Sequence, residues 1–288
     1  MTTLAALGFG YCARHLVASH PQAFTRTIGT ARTPERLGAL SPGIEPHLFD
    51  GESLPDGLAV ALGDTDVLLV SAPPDGRGDP VLRCAAPVLE RGRLAQVVYL
   101  TTLGVYGDHD GAWVDEATTP RAGSPRLERR LAAEAQWRAF GQRRGVAVSV
   151  LRLAGIYGPG RNALVQLRAG EARRIEKPEQ VFNRIHVDDI SSAILAAVAR
   201  RFDGIVNVTD DLPASPADPI AFAAELLGLP VPPAIAFADA AREMSPMALT
   251  FWAANKRVAN RRMKEELGVA PAYPTYREGL RALFAAGD

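Results

Sequence analysis

Through its first two-thirds the chain alternates short apolar runs with helical patterns, and no other feature restricts its fold as much. Leu4–Leu7, Thr27–Ala31, Val67–Ser71 (VLLVS), Val97–Thr101 (VVYLT) and Val146–Leu153 (VAVSVLRL) have strand length. VLLVS and VVYLT are nearly continuous apolar runs, as expected of strands covered on both faces. Helical patterns fall between the strands at Ala13–Ala18, Pro80–Arg91 and Ser124–Gln142, the last ended by Gly145. This order predicts an α/β fold, a Rossmann doubly wound parallel sheet with right-handed crossovers.

The last third differs. Ile185–Val187 precedes a helix over Ser191–Arg200, and Gly204–Val208 (GIVNV) reads as one more strand. From Leu212 the chain becomes rich in Pro and Ala, with helical pieces at Pro219–Leu227 and Lys256–Leu267 and an extended connector at Leu229–Phe237. The predicted division is a Rossmann domain over 1–162 and 185–210, with a small C-terminal substrate lobe over 163–184 and 211–288. Thirty-two basic residues balance thirty-two acidic ones, so net charge draws the chain to neither nucleic acid nor anionic membrane. Two cysteines, Cys12 and Cys84, suggest neither a disulfide framework nor a metal site. No apolar run spans a bilayer, and no secretory signal pattern stands at the N-terminus. The expectation is a soluble cytoplasmic protein acting on a small molecule.

Gly8-Phe9-Gly10-Tyr11-Cys12-Ala13 is a GxGxxA pattern that follows the first strand and opens the first helix. The first glycine permits a tight turn, and the second lets the backbone approach a pyrophosphate. The small third position allows helix–strand packing. The phosphates would rest on amides at the helix N-terminus. After the second strand, where a cofactor lacking a 2′-phosphate meets an Asp or Glu, the chain offers Arg32, with Arg36 one turn on. Two guanidinium groups suit a 2′-phosphate and leave no carboxylate for a ribose diol, so NADP is expected rather than NAD. Asp50 either accepts from the adenine amino group or closes a turn before Gly51. Ser71, Ala72 and Pro73 close the next strand, where the backbone would line the cofactor.

TTLGVYGD (Thr101–Asp108), WVDEATTP (Trp113–Pro120), LRLAGIYGPGRN (Leu151–Asn162), RIHVDDI (Arg184–Ile190) and NVTDD (Asn207–Asp211) follow in order. This set resembles the extended short-chain dehydrogenases/reductases, in particular the NAD-dependent epimerase/dehydratase group and an atypical branch of it. The likeness covers nearly the whole chain, including the tail NKRVANRRMKEELG. It implies an oxidoreductase or epimerase/dehydratase activity on a small polar substrate such as a sugar nucleotide, and a homodimer formed through helices flanking the sheet. It also implies that Thr102, beside Thr101, polarises a substrate carbonyl, and that Gly155, Ile156 and Tyr157 pass the nicotinamide end. His186 has the residue type of a general base but sits between apolar neighbours, which favours a packed histidine. Arg184 is expected to face a substrate anion, and Asp188 or Asp189 to cap the following helix.

One family feature is missing. The resemblance calls for Tyr-x-x-x-Lys before a run like LAAE. Aligning on Leu131–Glu134 puts Arg126 at the Tyr position and Arg130 at the Lys position. Arg130 can still donate to a ribose hydroxyl, whereas a guanidinium cannot act as an acid. Either the acid is relocated, to Tyr106, Tyr157 or a water on Thr102, or the substrate brings its own acidic group, held by Arg126 or Arg184. The alternative is a protein that binds NADP(H) without turnover and acts as a redox-responsive interaction module.

Overall fold

The computed structural model describes residues 2–38 and 40–288. The elements that build the sheet, in chain order, begin with β1 (Thr3–Leu7), α1 (Tyr11–Ser19), β2 (Arg26–Ala31) and α2 (Pro34–Gly38). They continue with β3 (Ile44–Leu48), α3 (Asp56–Gly63), β4 (Val67–Val70), α4 (Pro80–Arg91) and β5 (Gln96–Thr102). The last are α5 (Pro125–Arg144), β6 (Ala147–Leu153), α6 (Val187–Arg200) and β7 (Gly204–Val208). The seven strands form one parallel sheet in the order β7-β6-β5-β4-β1-β2-β3. In-register pairs include Ala5 with Ile28 and Leu68, and Leu69 with Val98. The order reverses between β1 and β4, which is the switch point where doubly wound sheets bind ligands beyond the strand ends.

The chain forms two compact units. The first comprises Met1–Thr102, Pro125–Arg152 and Ser191–Val206, and holds the body of the sheet. One sheet face supplies Ala5, Leu7, Leu68, Val70, Val97, Tyr99, Val148 and Val150 to its core. Leu58 and Leu62 of α3, Val81, Ala85 and Leu89 of α4, and Ala133, Trp137 and Phe140 of α5 close over them. Period-two selection from each strand and near-period-four selection from each helix account for this set. Each fully buried large side chain contributes about 1.5–3 kcal/mol relative to exposure.

The second unit comprises Leu103–Ser124, Leu153–Ile190 and Asn207–Asp288. Its larger core gathers Tyr157, Leu164, Ile220, Phe222, Tyr276, Leu280 and Leu283. A smaller one sets Trp252 against Phe182 and Phe237, with ring centroids 5.1 and 5.0 Å away. Leu103–Ser124 and Leu153–Asn162 thus lie in the second unit, whereas the sequence reading groups them with the Rossmann domain. The Leu103–Ser124 segment joins the C-terminal region by pairing: Trp113–Val114 forms a two-residue ladder with Arg257–Val258.

Several local expectations are corrected. The helix expected from Ser191 begins at Val187, so Asp188 and Asp189 lie in its first turn and not at its cap. Asp189 instead accepts the amides of Ala272 and Tyr273. The piece Lys256–Leu267 splits into the Arg257–Val258 strand and a helix over Arg261–Glu265. The connector at Leu229–Phe237 contains a strand, Ile235–Ala236, paired with Ile175–Glu176. β3 goes unread in the sequence because IEPHL carries charge, an imidazole and Pro46 in place of an apolar run. Such a strand fits the sheet edge, where it lies.

Candidate functional site

A cavity of about 760 Å³ opens in the first unit at the switch point, beyond the C-terminal ends of β1, β2, β3 and β4. The backbone bonds among these ends build it. Ser71 and Ala72 donate to Leu7 O at 3.0 and 3.1 Å, and Phe9 donates to Thr30 O at 3.0 Å. Gly8 N donates to Thr30 Oγ1 at 2.9 Å, and Ser71 Oγ donates to Gly8 O at 2.5 Å. Gly8 has φ +92°, and a Cβ there would sit 2.8 Å from Ser71 Oγ and 2.9 Å from Ala72 N. Only glycine satisfies both the turn and that approach. At Gly10 the nearest atom to an added Cβ is 3.8 Å away, so the second glycine keeps open space at the cavity wall. Gly10 also precedes α1 with no side-chain cap. The Phe9 ring packs on Gly29, where a Cβ would meet ring carbon Cδ2 at 3.0 Å.

Of the residues expected to hold a cofactor, Gly8, Phe9, Gly10, Arg32, Arg36, Asp50, Ser71, Ala72 and Pro73 all line this cavity. Asp50 also accepts the Glu52 amide at 2.8 Å before Gly51, so it closes a turn while facing the cavity. Tyr11 and Cys12 form the first turn of α1 and are outside the lining. Thr101 is buried, with no hydrogen-bond partner for its hydroxyl among the described residues. Gly155, Ile156 and Tyr157 form a short strand of the second unit, paired with Arg184–His186.

The lining also contains residues the sequence reading passes over, chiefly Arg14, Thr30, Glu35 and Asp75. Glu35 places a carboxylate in the same lining as the two arginines, where none was expected to serve a ribose diol, and its hydrogen bond with Thr33 holds its carboxyl below the usual range. Asp75 is neutralised by a forked contact from Arg83, at 3.1 and 3.0 Å, while Arg83 also donates to Gly51 O at 2.7 Å. Spacing signals both omissions. Arg14 follows Gly10 by one helical turn, and Glu35 follows Arg32 by three residues.

The helix expected to carry the proton-transfer pair is α5. Its apolar face, with Leu127, Ala133, Trp137 and Phe140, is buried. Arg126 and Arg130 are one turn apart and partly exposed, and burial together with the neighbouring Arg130 charge lowers the Arg126 pKa. Thr102 ends β5, the strand beside β4, and is half-buried. Near α5 the hydroxyl of Tyr99 is fully buried without a hydrogen-bond partner among the described residues, and burial pushes its pKa well above the tyrosine range.

The second unit holds four of the expected site residues. Tyr106 is wholly buried and donates to Asn207 Oδ1 at 2.9 Å, so it is a packed tyrosine and not an accessible acid. Tyr157 donates to Thr275 O at 3.4 Å within the core of this unit, and burial raises its pKa far above the usual range. His186 is 2% exposed, accepts the Asp188 amide at Nδ1 and packs on Tyr273 with centroids 4.1 Å apart. It is the packed histidine that its apolar neighbours favoured. Arg184 spends its guanidinium on the carbonyls of Phe182, Ala214 and Ser215 at 3.1–3.2 Å, beside Tyr276, and does not present a fork to an anion. A separate concavity of about 390 Å³ in this unit is lined by Glu176–Val181, Ser215 and Arg257. Among the described residues no group of His, Cys, Asp and Glu could hold a metal ion.

The glycine cradle, the space at Gly10 and the guanidinium donors fit a dinucleotide. Comparisons with known proteins agree with the geometry. Residues 81–209 match the model of the NAD-dependent epimerase/dehydratase family. Protein YeeZ of Escherichia coli (strain K12) is 30% identical over 81% of this chain and 86% of its own. The 3-diazoavenalumate denitrifying reductase of a Streptomyces species is 35% identical over 137 residues, 46% of this chain, and the match spans 45% of that reductase. A solved structure of a functionally unknown conserved protein from Silicibacter pomeroyi is 46% identical, covers both chains fully and superposes with a TM-score of 0.87. The UDP-glucuronic acid 4-epimerase of Bacillus cereus, solved with NAD, shares the fold at 18% identity, with a TM-score of 0.76 over 99% of this chain and 96% of its own. The chain belongs to the NAD-dependent epimerase/dehydratase family.

Proposed function

We propose that the protein is an NADP(H)-dependent oxidoreductase or epimerase/dehydratase-like enzyme acting on a small polar carbonyl or hydroxyl substrate. The observation that carries this reading is the switch-point cavity, where the Gly8–Gly10 cradle and the guanidinium groups of Arg32 and Arg36 share one wall system. The bound nicotinamide would supply or accept a hydride. Thr102, at the end of β5, would donate a hydrogen bond to the substrate oxygen and order a water beside it. In the reductive direction that water would relay a proton from bulk solvent to the oxygen, taking one up as it gives one, because Arg126 and Arg130 cannot supply it. A reductase among the relatives supports reductive chemistry.

A second reading has its own support: binding of NADP(H) without turnover, as a redox-responsive module. Tyr106 and Tyr157, the side-chain acids that could replace the missing tyrosine, are both buried and bonded elsewhere. One experiment addresses both readings. Titration of NADPH and NADH by calorimetry is followed by a screen of carbonyl compounds and sugar nucleotides with NADPH. Micromolar NADPH binding with turnover that falls in Thr102→Val supports the enzyme. Binding with no turnover across the screen supports the module, and binding of neither nucleotide removes both.

A further inference from the structure

Arg14 belongs to α1, yet its side chain lies back toward the glycine loop. Its Nε donates to Phe9 O at 3.3 Å, and it lines the same cavity as Arg32 and Arg36. Phe9 is itself held at the end of β2, through its amide on Thr30 O and its ring on Gly29. The Arg14 guanidinium is therefore tethered at the corner between the ends of β1 and β2, where the chain also turns into Arg32. Among the described residues no carboxylate pairs with Arg14, whereas Arg83, Arg77 and Arg26 each meet one. An arginine held by its Nε on a carbonyl keeps the two terminal nitrogens of its fork for another acceptor. The acidic lining residues of other strand ends are engaged: Asp75 with Arg83, and Asp50 with the Glu52 amide.

We propose that Arg14 is a third guanidinium ligand for a phosphomonoester on the adenosine ribose of the bound dinucleotide. It acts with Arg32 and Arg36 and is oriented by Phe9 O. The proposal rests on the NADP reading above and adds to it a residue outside both the glycine motif and the β2 turn. A phosphomonoester carries negative charge on three oxygens and takes charge-assisted bonds from several guanidinium groups, whereas a neutral ribose diol offers no charge for them to pair with.

The test uses adenosine 2′,5′-bisphosphate, 5′-AMP and ADP as probes, titrated by calorimetry into the 288-residue chain. Wild type should bind the 2′,5′-bisphosphate at least tenfold more tightly than 5′-AMP. Arg14→Gln should weaken the 2′,5′-bisphosphate about tenfold or more and ADP by less than about threefold. Arg14→Lys keeps the charge and guards against a folding artefact; it should lose part of the same selectivity at an unchanged melting temperature. Equal losses for both probes would assign Arg14 to the 5′-phosphates and overturn the proposal, as would no loss for either. A wild type without preference for the 2′-phosphate would fell the NADP reading, and this proposal with it, before any variant is measured.

Discussion

The indole N–H of Trp137 donates to Asp79 Oδ2 at 3.1 Å, tying the middle of α5 to the N-cap of α4 inside the core. The other carboxylate oxygen accepts the amides of Val81 and Leu82, at 2.9 and 3.0 Å, so one side chain caps a helix and satisfies a buried indole. Burial raises the Asp79 pKa while these three donors oppose the shift. Asp79→Ala removes the cap and orphans the indole, at about 0.5–2 and 1–3 kcal/mol respectively. Urea unfolding should therefore show a loss of about 2–4 kcal/mol. Trp137→Phe, which keeps most of the packing, should lose less, and a loss for Asp79→Ala within error of zero would contradict this account.

Glu35 predicts a cofactor effect of opposite sign to that of its neighbours. It lines the cavity with Arg32 and Arg36 and is ionised at neutral pH, since its hydrogen bond with Thr33 favours the charged form. A carboxylate repels a 2′-phosphate and accepts from a ribose diol. Glu35→Gln should tighten NADPH a few-fold and weaken NADH, whereas Arg32→Ala should weaken NADPH far more than NADH. Fluorescence titration with each reduced nucleotide measures both. Parallel changes for the two nucleotides in either variant would show that the 2′ position is not what these residues meet.

The sequence makes the scaffold of this cavity legible for a physical reason. A strand, a glycine turn and a helix are local patterns, and Gly8, Gly10, Arg32, Ser71 and Pro73 occupy strand ends that any parallel sheet brings to one side. What it hides is where a long side chain ends. Arg14 reads as a helix-surface residue until its contact with Phe9 O turns it toward the cavity. Arg184 reads as an anion ligand until three carbonyls 2 to 31 residues away claim its fork. Tyr106 is coiled in the short 3₁₀ turn over Leu103–Tyr106, one turn on from Thr102, but its accessibility depends on Asn207, 101 residues later. Long-range partners of this kind leave no periodic trace.

Glu134 and Arg152 form an ion pair between α5 and β6, with Nη2–Oε2 at 2.7 Å and both side chains 4% exposed. Glu134 Oε1 has no hydrogen-bond partner among the described residues. Removing one member leaves a buried charge, so Arg152→Met should cost about 3–5 kcal/mol. Replacing both, Arg152→Met with Glu134→Leu, should recover much of that, because the desolvation penalty goes with the charges. Chemical denaturation of the two singles and the double closes the cycle; a double variant as unstable as the sum of the singles would rule out this explanation.

Asp210 sets a pH dependence of stability. Its carboxyl is 1% exposed, Oδ1 accepts the Leu212 amide at 3.2 Å, and Oδ2 has no partner among the described residues. Burial is the main reason its pKa rises to about 8; the Leu212 amide and Arg184 oppose the rise, and the charges of Asp211 and Asp189 add to it. In the unfolded chain the same group titrates near about 3.9. Between these values the native state holds a proton that the unfolded state has released, so this group makes stability fall as pH climbs from about 4 to about 8. Asp210→Asn removes the titration and mimics the neutral acid. Its melting temperature relative to wild type should therefore rise steadily between pH 5 and pH 8, with little further change above. A difference that stays constant over that range would mean that Asp210 ionises normally in the folded protein.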